Sequence, residues 1–259
     1  NTIEGKEYTG ISKDRELALG PQIISAAAGV IGVTREIAEY ERERSRPDLP
    51  IFVLPNSLDT VPEEEPDERP LLSPGMALHM IMAARFDSWH GVERIIEGIA
   101  QSATRSKFVL HLVGGGPALA KYHRLVREHG LSKQVIFHGW LDPAELQKIY
   151  AQCHLAFGAI AIARKGLREA CAIKAREYCA MGLPFVLAGS DPDFQMDLPF
   201  VHIIPNDDAP VVMEDVYTFA LESLSNPAAN HEIRAFAQKR LTWDGRSEDW
   251  VNFLRSVAA

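Results

Sequence analysis

Apolar and polar positions alternate along most of the chain in the manner of strands that are separated by amphipathic helices. After residue 70, short apolar runs predict strands. These runs cover residues 77–83, 108–113, 135–137, 155–159, 185–187 and 201–204. Between them, apolar residues recur at the i, i+3, i+4 spacing of helices that bury one face. The predicted helices cover residues 92–103, 118–129, 143–152 and 172–181.

Regular alternation of strand and helix predicts an α/β fold with a doubly wound parallel sheet of about six strands and right-handed crossovers. From about residue 211 onward the pattern indicates helices only, with breaks at Asn226-Pro227 and Asp244-Gly245. The last two predicted helices lie within residues 231–241 and 250–257.

Residues 1–60 show a single strand–helix–strand pattern and little else. Apolar residues 28–33 and 51–54 flank a charged helix over residues 35–46, for which Thr34 is the expected cap. One such unit cannot cover both faces of a parallel sheet. Together with a first residue that is not methionine, this predicts that the chain begins inside a longer protein, after most of a first domain.

A linker is predicted between this first part and the regular α/β pattern. Residues 61–70, VPEEEPDERP, contain three prolines and six charged side chains. Proline removes backbone donors, and the charged side chains leave nothing to bury. We therefore expect the boundary between two domains here.

Composition and charge exclude several classes of protein. The 259 residues are 46% hydrophobic and 24% charged, which is typical of a globular protein and not of a disordered or fibrous one. The net charge of −8 gives no general attraction for nucleic acid, so no nucleic-acid partner is expected. Three dispersed cysteines form no disulfide framework and favour a reducing compartment.

No membrane span or leader is predicted from the sequence. The longest apolar stretch, residues 23–33, is shorter than the roughly 20 residues that cross a bilayer. The first ten residues lack the basic and apolar regions of a signal peptide. The cytoplasm is therefore the expected location.

Three loops that follow predicted strands are candidate binding sites, because ligands bind beyond the carboxyl ends of parallel strands. In residues 85–91, Arg85 and His90 are placed to face an anion at a helix start, although a simple capping loop fits equally well. Gly114-Gly115-Gly116-Pro117 allows a ligand close to the backbone, and a tight turn explains it as well. Trp140 and Leu141 follow another strand, where the aromatic ring either borders a nucleobase or packs in the protein.

Residues 163–177, ARKGLREACAIKARE, form a basic segment in an acidic chain. Five cations face only two carboxylates here: Arg164, Lys165, Arg168, Lys174 and Arg176 against Glu169 and Glu177. A cation such as Lys174 in the first turn of a helix opposes the helix dipole unless an anion is bound. The segment therefore indicates an anion site, with a solvated basic surface as the alternative. The eight-residue spacing of the two glutamates would let them contact different hydroxyls of one extended ligand.

Together, these loops resemble the donor-binding domain of retaining glycosyltransferases of the GT-B fold, specifically glycosyltransferase family 4. The resemblance is carried by AARFDSWHGVERIIEGI, LHLVGGGP, VIFHGWLDPAELQKIYAQCHLAF and EACAIKAREYCAMGLPFV. The last of these is similar to the family's E-x7-E motif. The resemblance extends over about residues 28–255 and is most specific in residues 77–189.

The resemblance implies a role for individual residues. It implies that Arg85 binds the donor pyrophosphate, Glu177 the ribose hydroxyls and Glu169 the donor sugar. It further implies that the backbone from Ala170 to Ile173 meets the sugar and phosphate, and that Gly115 and Gly116 lie close to the donor. Trp140 and Leu141 would lie near the base.

One position departs from the family pattern. The family's usual lysine before glycine is His90 here, and a neutral histidine is a weaker partner for phosphate. We hypothesise that Lys174, or Arg164 with Lys165, supplies the missing charge. No metal-ligand cluster is visible, because His111, His123, His129 and His138 are dispersed in the sequence, so neither a metal nor a cofactor is expected.

The implied domains are a partial acceptor-side domain (1–60), a linker (61–70), a donor-binding domain (71–230) and helices that pack back on the first domain (231–259). The implied reaction moves a sugar from a nucleotide-diphosphate sugar, with UDP favoured over GDP, to a sugar or lipid-linked acceptor in polysaccharide or glycoconjugate synthesis. A lipid-linked acceptor would bring the protein to the inner face of the membrane. The chain by itself is expected to bind donor and to transfer poorly.

Two other functions stay open at this point. A sugar-nucleotide epimerase of related architecture would use the same basic loop and glutamates, and a non-catalytic binding protein would keep the same fold. The donor sugar, the acceptor, the linkage and the oligomeric state are not predicted.

Overall fold

The first part of the chain forms a small parallel pair of strands with two helices. The computed structural model describes residues 11–62, 72–194 and 197–258. In chain order the first elements are α1 Ile11–Ser25, β1 Val30–Gly32, α2 Arg35–Glu43 and β2 Ile51–Val53. Thr34 caps α2 as predicted, because its hydroxyl accepts a hydrogen bond from the Ile37 N–H at 3.2 Å. Of the predicted linker, only Val61 and Pro62 lie among the described residues.

The helix α1 corrects the expectation that residues 1–60 hold little beyond one strand–helix–strand unit. It runs through Gly20 and Pro21, two residues that oppose helix formation in a helix interior. The local sequence therefore argues against this helix. Contacts with the rest of the fold stabilise it, including an ion pair between Glu16 and Arg44 at 2.6 Å.

The main body is a six-stranded parallel sheet that confirms the predicted fold class. Its strands are β3 Leu78–Ala83, β4 Phe108–Val113, β5 Val135–Gly139, β6 Leu155–Phe157, β7 Phe185–Ala188 and β8 Val201–Ile204, in the spatial order β5-β4-β3-β6-β7-β8. The helices that follow are α3 Val92–Gln101, α4 Leu119–Glu128, α5 Pro143–Gln152, α6 Ile173–Ala180, α7 Met213–Ser223, α8 Ala229–Arg240 and α9 Ser247–Ala258. The predicted bounds of β4, β8 and α5 agree with the structure at both ends.

Alternate residues of each strand face two separate cores. Met80 and Met82 of β3 pack with α3, α4 and α7 on one face of the sheet. Ile81 and Ala83 pack with α6 and α8 on the other face. Both faces are therefore covered, as a parallel sheet requires. The three cysteines, Cys153, Cys171 and Cys179, are all buried, and none of them is in a disulfide.

The last helix packs against the first strand pair. Phe253 of α9 stacks on Phe52 of β2 with ring centroids 5.1 Å apart. Backbone hydrogen bonds also join Leu58 to Leu241 and Trp243. These contacts fix the first part of the chain beside the main sheet. Among the described residues, no helix is long and apolar enough to cross a bilayer.

Candidate functional site

The order of the strands places a cleft at the carboxyl ends of β3 and β6. The chain winds outward from β3 to β4 and β5, and then returns to β6 on the other side of β3. The loops after two such strands diverge and leave a crevice, which is where doubly wound sheets bind ligands. The loop of residues 84–91 and the segment of residues 158–172 border this crevice.

Gly114 and Gly116 allow two of these loops to touch. Both have positive φ angles, of 120° and 142°. A Cβ atom on Gly114 would lie 2.0 Å from the Ala84 carbonyl oxygen, and one on Gly116 would lie 2.3 Å from the Phe86 carbonyl oxygen. Any other residue would clash with the neighbouring backbone. The glycines therefore fix the position of the loop that carries Arg85.

Arg85, Gly115 and Trp140 come together at this edge. The Phe86 N–H, next to Arg85, donates to the Gly115 carbonyl at 2.6 Å. The Trp140 indole covers Gly115, where an added Cβ would lie 2.5 Å from the indole nitrogen, and the side chain is still 72% exposed. Leu141 follows it, half-buried. The Arg85 side chain is exposed, and no ion pair binds it within the described ranges.

His90 lies at the end of the same loop and is held as a neutral ring. Its Nδ1 accepts a hydrogen bond from the Asp87 N–H at 3.0 Å, in a reciprocal capping arrangement. Burial lowers the pKa of His90 below its ordinary value, and the charge of nearby Lys165 lowers it further, against the opposing effect of Asp87. His90 therefore has a polar ring but no cationic charge at neutral pH.

Arg164 is occupied by carboxylates. Its guanidinium pairs with Glu93 at 2.5 Å and with Asp208 at 2.6 Å, and it donates to the Ser88 carbonyl at 2.5 Å. The neighbouring Lys165 lies over the Trp89 ring, 4.3 Å from its centroid. Arg164 would reach a phosphate only by exchanging partners.

Glu169 is held by the first part of the chain. Its Oε2 accepts a hydrogen bond from the Glu36 N–H at 2.9 Å, and Glu36 Oε2 in return accepts from the N–H groups of Arg168 and Glu169, each at 2.9 Å. We call this arrangement the Glu36–Glu169 clasp. It borders a cavity of about 330 Å³ lined by Arg35, Glu36, Glu39, Arg168, Glu169 and Ser190.

The residues that follow Glu169 lead into α6. The Ala170 N–H donates to the Ser190 carbonyl at 2.9 Å. The helix begins at the exposed Ile173 without a side-chain cap. In its first turn, Lys174 pairs with Glu177 at 2.6 Å. The structure therefore brings two predicted site residues together as an ion pair, and both remain partly exposed.

Arg176 has a role that the sequence did not indicate. It is fully buried and makes two hydrogen bonds to Asp191, at 2.5 and 2.6 Å, and a further close contact with Asp193. It also donates to the Asn56 carbonyl at 3.1 Å. Cys171, Asp191 and Asp193 are the group of potential metal ligands found among the described residues. The guanidinium already occupies the two carboxylates.

Four histidines form a ladder across three strands and the start of a fourth. His79 Nδ1 lies 3.1 Å from His111 Nε2, and His111 Nδ1 lies 3.0 Å from His138 Nε2. The His79 N–H donates to His154 Nδ1 at 3.0 Å. Although His111 and His138 are dispersed in the sequence, neighbouring strands bring them together. The available signal was that His111 lies in one predicted strand and His138 directly follows the next one.

Burial makes this ladder acid-sensitive. It lowers the pKa of His111 to about 4, with further lowering from the neighbouring His79 and His138. Burial also lowers the pKa values of His79 and His138. The rings of His79, His111 and His138 are therefore neutral at pH 7, where each ring can donate at one nitrogen and accept at the other.

Comparison with protein families gives one match. The model of the family described as glycosyl transferases group 1 matches residues 63–192, half of the chain. The match includes the loops that carry Arg85, Gly115 and Trp140, and also the clasp residue Glu169. No curated protein matches the chain.

Several solved structures share the fold. Anabaena Alr3699/HepE in complex with UDP is 16% identical, with a TM-score of 0.70 over 98% of this chain and 70% of that one. The pneumococcal O-GlcNAc transferase GtfA in complex with UDP and GlcNAc is 14% identical, with a TM-score of 0.66 over 95% and 48%. S. aureus TarM is 16% identical, with a TM-score of 0.67 over 96% and 47%. The chain spans about half the length of GtfA and of TarM.

Proposed function

The chain belongs to the group 1 glycosyl transferases, and from this membership we propose that it binds a nucleotide-diphosphate sugar as the donor of a sugar transfer reaction. The observation that carries the proposal is the meeting of exposed Arg85, the Gly115 loop and exposed Trp140 at the carboxyl edge of the sheet. A cation beside an aromatic surface suits a diphosphate that is joined to a base.

The proposed donor lies along the crevice. Arg85 binds the pyrophosphate, while Trp140 and Leu141 contact the base. Glu177 binds the ribose, and Glu169 binds the sugar. UDP is the favoured nucleotide, since structures that share this fold were solved with UDP and glucose, and with UDP and GlcNAc.

The chemistry of transfer fits these groups. Breaking the sugar–phosphate bond builds negative charge on the departing diphosphate, and preorganised donors stabilise that charge. Arg85 supplies a free cation, and the uncapped start of α6 supplies backbone N–H groups with the positive end of the helix dipole. We propose that the reaction proceeds without a metal ion and with retention of configuration. In this proposal Glu169 positions the donor sugar.

The finer features of the activity are proposals as well. We propose a sugar or lipid-linked acceptor in polysaccharide or glycoconjugate synthesis. The reaction would take place in the cytoplasm, and a lipid-linked acceptor would hold the protein at the inner face of the membrane.

A thermal unfolding panel with UDP, GDP, ADP and their glucose derivatives tests the proposal. At a ligand concentration one hundred times the dissociation constant, binding stabilises the folded state by about 2.7 kcal/mol, which is a readily measured rise in melting temperature. We expect UDP and UDP-glucose to raise it more than the other pairs. Failure of every nucleotide would favour a non-catalytic protein with this fold.

Product analysis separates transfer from epimerisation. A transferase needs an acceptor, whereas an epimerase converts the donor sugar alone. Incubation with UDP-glucose as the sole substrate, followed by chromatography of the sugar nucleotide, should leave the sugar configuration unchanged. Appearance of UDP-galactose would contradict the proposal.

A further inference from the structure

We propose that Glu36 positions Glu169 for contact with the donor sugar, an inference that rests on the proposed function. Glu36 lies in the first turn of α2, 133 residues before Glu169. No sequence pattern connects the two. The evidence is the Glu36–Glu169 clasp and what surrounds it.

The clasp brings two carboxylates together through backbone donors. The Glu36 N–H donates to Glu169 Oε2, and the N–H groups of Arg168 and Glu169 donate to Glu36 Oε2. The positive end of the α2 dipole favours both negative charges. Three N–H donors therefore hold together side chains that would otherwise repel each other.

The clasp leaves Glu36 charged. Burial raises the pKa of Glu36, but the hydrogen bonds from Glu169 and Arg168 and the Arg168 charge outweigh it, so the pKa is lowered overall. Glu36 is therefore an ionised acceptor at neutral pH. Hydrogen bonds to an ionised acceptor are stronger than those between neutral groups.

A second set of hydrogen bonds holds the same loop from its other side. The Ala170 N–H donates to the Ser190 carbonyl at 2.9 Å, and the Ser190 N–H donates to the Arg168 carbonyl at 3.0 Å. Glu169 is thus fixed between α2 and the loop after β7. The clasp engages Oε2, so Oε1 is the oxygen that a sugar hydroxyl would contact from the cavity of about 330 Å³.

Glu36 should therefore act on the sugar and not on the nucleotide. Arg85 and Trp140 lie on other loops, which the glycines of residues 114–116 hold in place without Glu36. Loss of the clasp frees the Glu169 side chain and the Arg168–Glu169 backbone. The affinity that the sugar adds to UDP should fall, while the affinity for UDP itself is maintained.

Titration calorimetry of the 259-residue chain with UDP and UDP-glucose tests this. For Glu36→Ala we expect unchanged UDP affinity and about tenfold weaker UDP-glucose affinity, because a bound hydroxyl loses its preorganised acceptor. Glu36→Gln keeps a carbonyl oxygen that can accept both loop N–H groups, so it should stay within about twofold of the wild type. Glu43→Ala, which removes an exposed carboxylate from the same helix, is the matched control.

The outcomes are separable. Equal weakening of UDP and UDP-glucose in Glu36→Ala, or no change in either, would overturn the positioning role. Loss of UDP-glucose affinity in Glu36→Gln as large as in Glu36→Ala would overturn the hydrogen-bond basis. If circular dichroism shows that Glu36→Ala is unfolded, Glu36→Asp gives the same test, because the aspartate side chain is too short to reach both N–H groups. A wild-type chain that binds neither ligand would instead overturn the proposed function, and the inference with it.

Discussion

Two regions at the carboxyl edge of the sheet use their positively charged side chains in opposite ways. In the segment of residues 163–177, the arginines and lysines in ion pairs with carboxylates are Arg164, Arg168, Lys174 and Arg176. In the loop of residues 84–91, Arg85 is exposed, and no carboxylate pairs with it within the described ranges. The region that looks more basic in the sequence therefore has less charge free for a ligand.

A cluster of basic residues in a sequence is therefore not by itself a source of free positive charge. A buried ion pair is hard to break, because removing one partner leaves the other charge desolvated. An exposed cation without a partner loses no ion pair when it binds an anion. Stability should therefore depend on the first region, and nucleotide affinity on the second.

Arg176 provides the largest test of the comparison. Arg176→Ala leaves the buried Asp191 without its cation, while Asp193 keeps its ion pair with Arg246, and it should lower the free energy of unfolding by about 3–5 kcal/mol. Arg168→Ala is the control, since that side chain is 88% exposed, and it should change the value by less than about 0.5 kcal/mol. Urea unfolding followed by circular dichroism measures both.

A combined variant shows whether the loss of stability in Arg176→Ala comes from an unpaired charge. Arg176→Met together with Asp191→Asn leaves no unpaired charge, because Asp193 still pairs with Arg246, and should recover part of the loss. A cost below about 1 kcal/mol for Arg176→Ala would show that the buried pairs contribute little, which would remove the contrast between the two regions.

The histidine ladder should make the folded state less stable at low pH. The unfolded chain has an ordinary histidine pKa, whereas the pKa of His111 in the fold is about 4. The unfolded state therefore binds more protons as the pH falls below 6.5, and stability is lost progressively down to about pH 4. For His111 alone the difference between the two pKa values corresponds to roughly 3 kcal/mol.

Urea unfolding at pH 7 and pH 4.5 measures this loss. His111→Phe keeps a stacked ring without the titration, so its stability should fall less between the two values than that of the wild type. His129→Gln changes an exposed histidine and is the control, so it should lose as much stability as the wild type. The acidic residues are the same in all three proteins, and their contribution to the loss therefore cancels. Equal losses in His111→Phe and the wild type would show that the ladder does not set the acid sensitivity.

The sequence predicted the strands and helices that have a regular apolar pattern of their own. It did not predict an element that depends on contacts with distant parts of the chain. Strands such as β4 follow from their own apolar runs, and α5 from the helical spacing of its apolar residues. The helix α1 was missed because Gly20 and Pro21 oppose it, so only contacts far along the chain stabilise it.

The loops of the candidate site were predictable from the sequence, but the contacts between their side chains were not. The sequence places Arg85 just beyond one predicted strand, Glu169 in the segment that follows another, and Glu177 in the helix after that segment. It does not show that Glu169 contacts Glu36 or that Arg164 contacts Asp208. Ion pairing depends on which loops the strand order brings together, and several of the predicted cations have their carboxylates on other elements.

Nucleotide affinity is the next test. Arg85→Ala should weaken UDP binding by roughly tenfold to a hundredfold, as expected for loss of a charge-assisted hydrogen bond. Lys174→Ala should change it by less than about threefold, because Lys174 is committed to Glu177. Titration calorimetry at fixed ionic strength measures both, and thermal unfolding shows whether the variants are folded.

The reverse result would contradict these roles of Arg85 and Lys174. A large effect of Lys174→Ala with a small one of Arg85→Ala would mean that Lys174 leaves Glu177 for the diphosphate. The basic segment would then supply the cation that the family pattern places at His90.

His90 offers the smallest and most direct refinement. The ring is neutral because burial lowers its pKa, so UDP affinity should not rise when the pH is lowered from 8 to 6.5. His90→Lys adds a cation to the same loop as Arg85 and should tighten UDP binding about threefold, with His90→Met, of similar length, as the neutral control. Both variants lose the acceptor for the Asp87 N–H and should lose about 1 kcal/mol of stability equally. Since the two then differ only in charge, tighter binding by the lysine variant alone would place the diphosphate beside this loop, whereas equal binding would place it beyond the reach of residue 90.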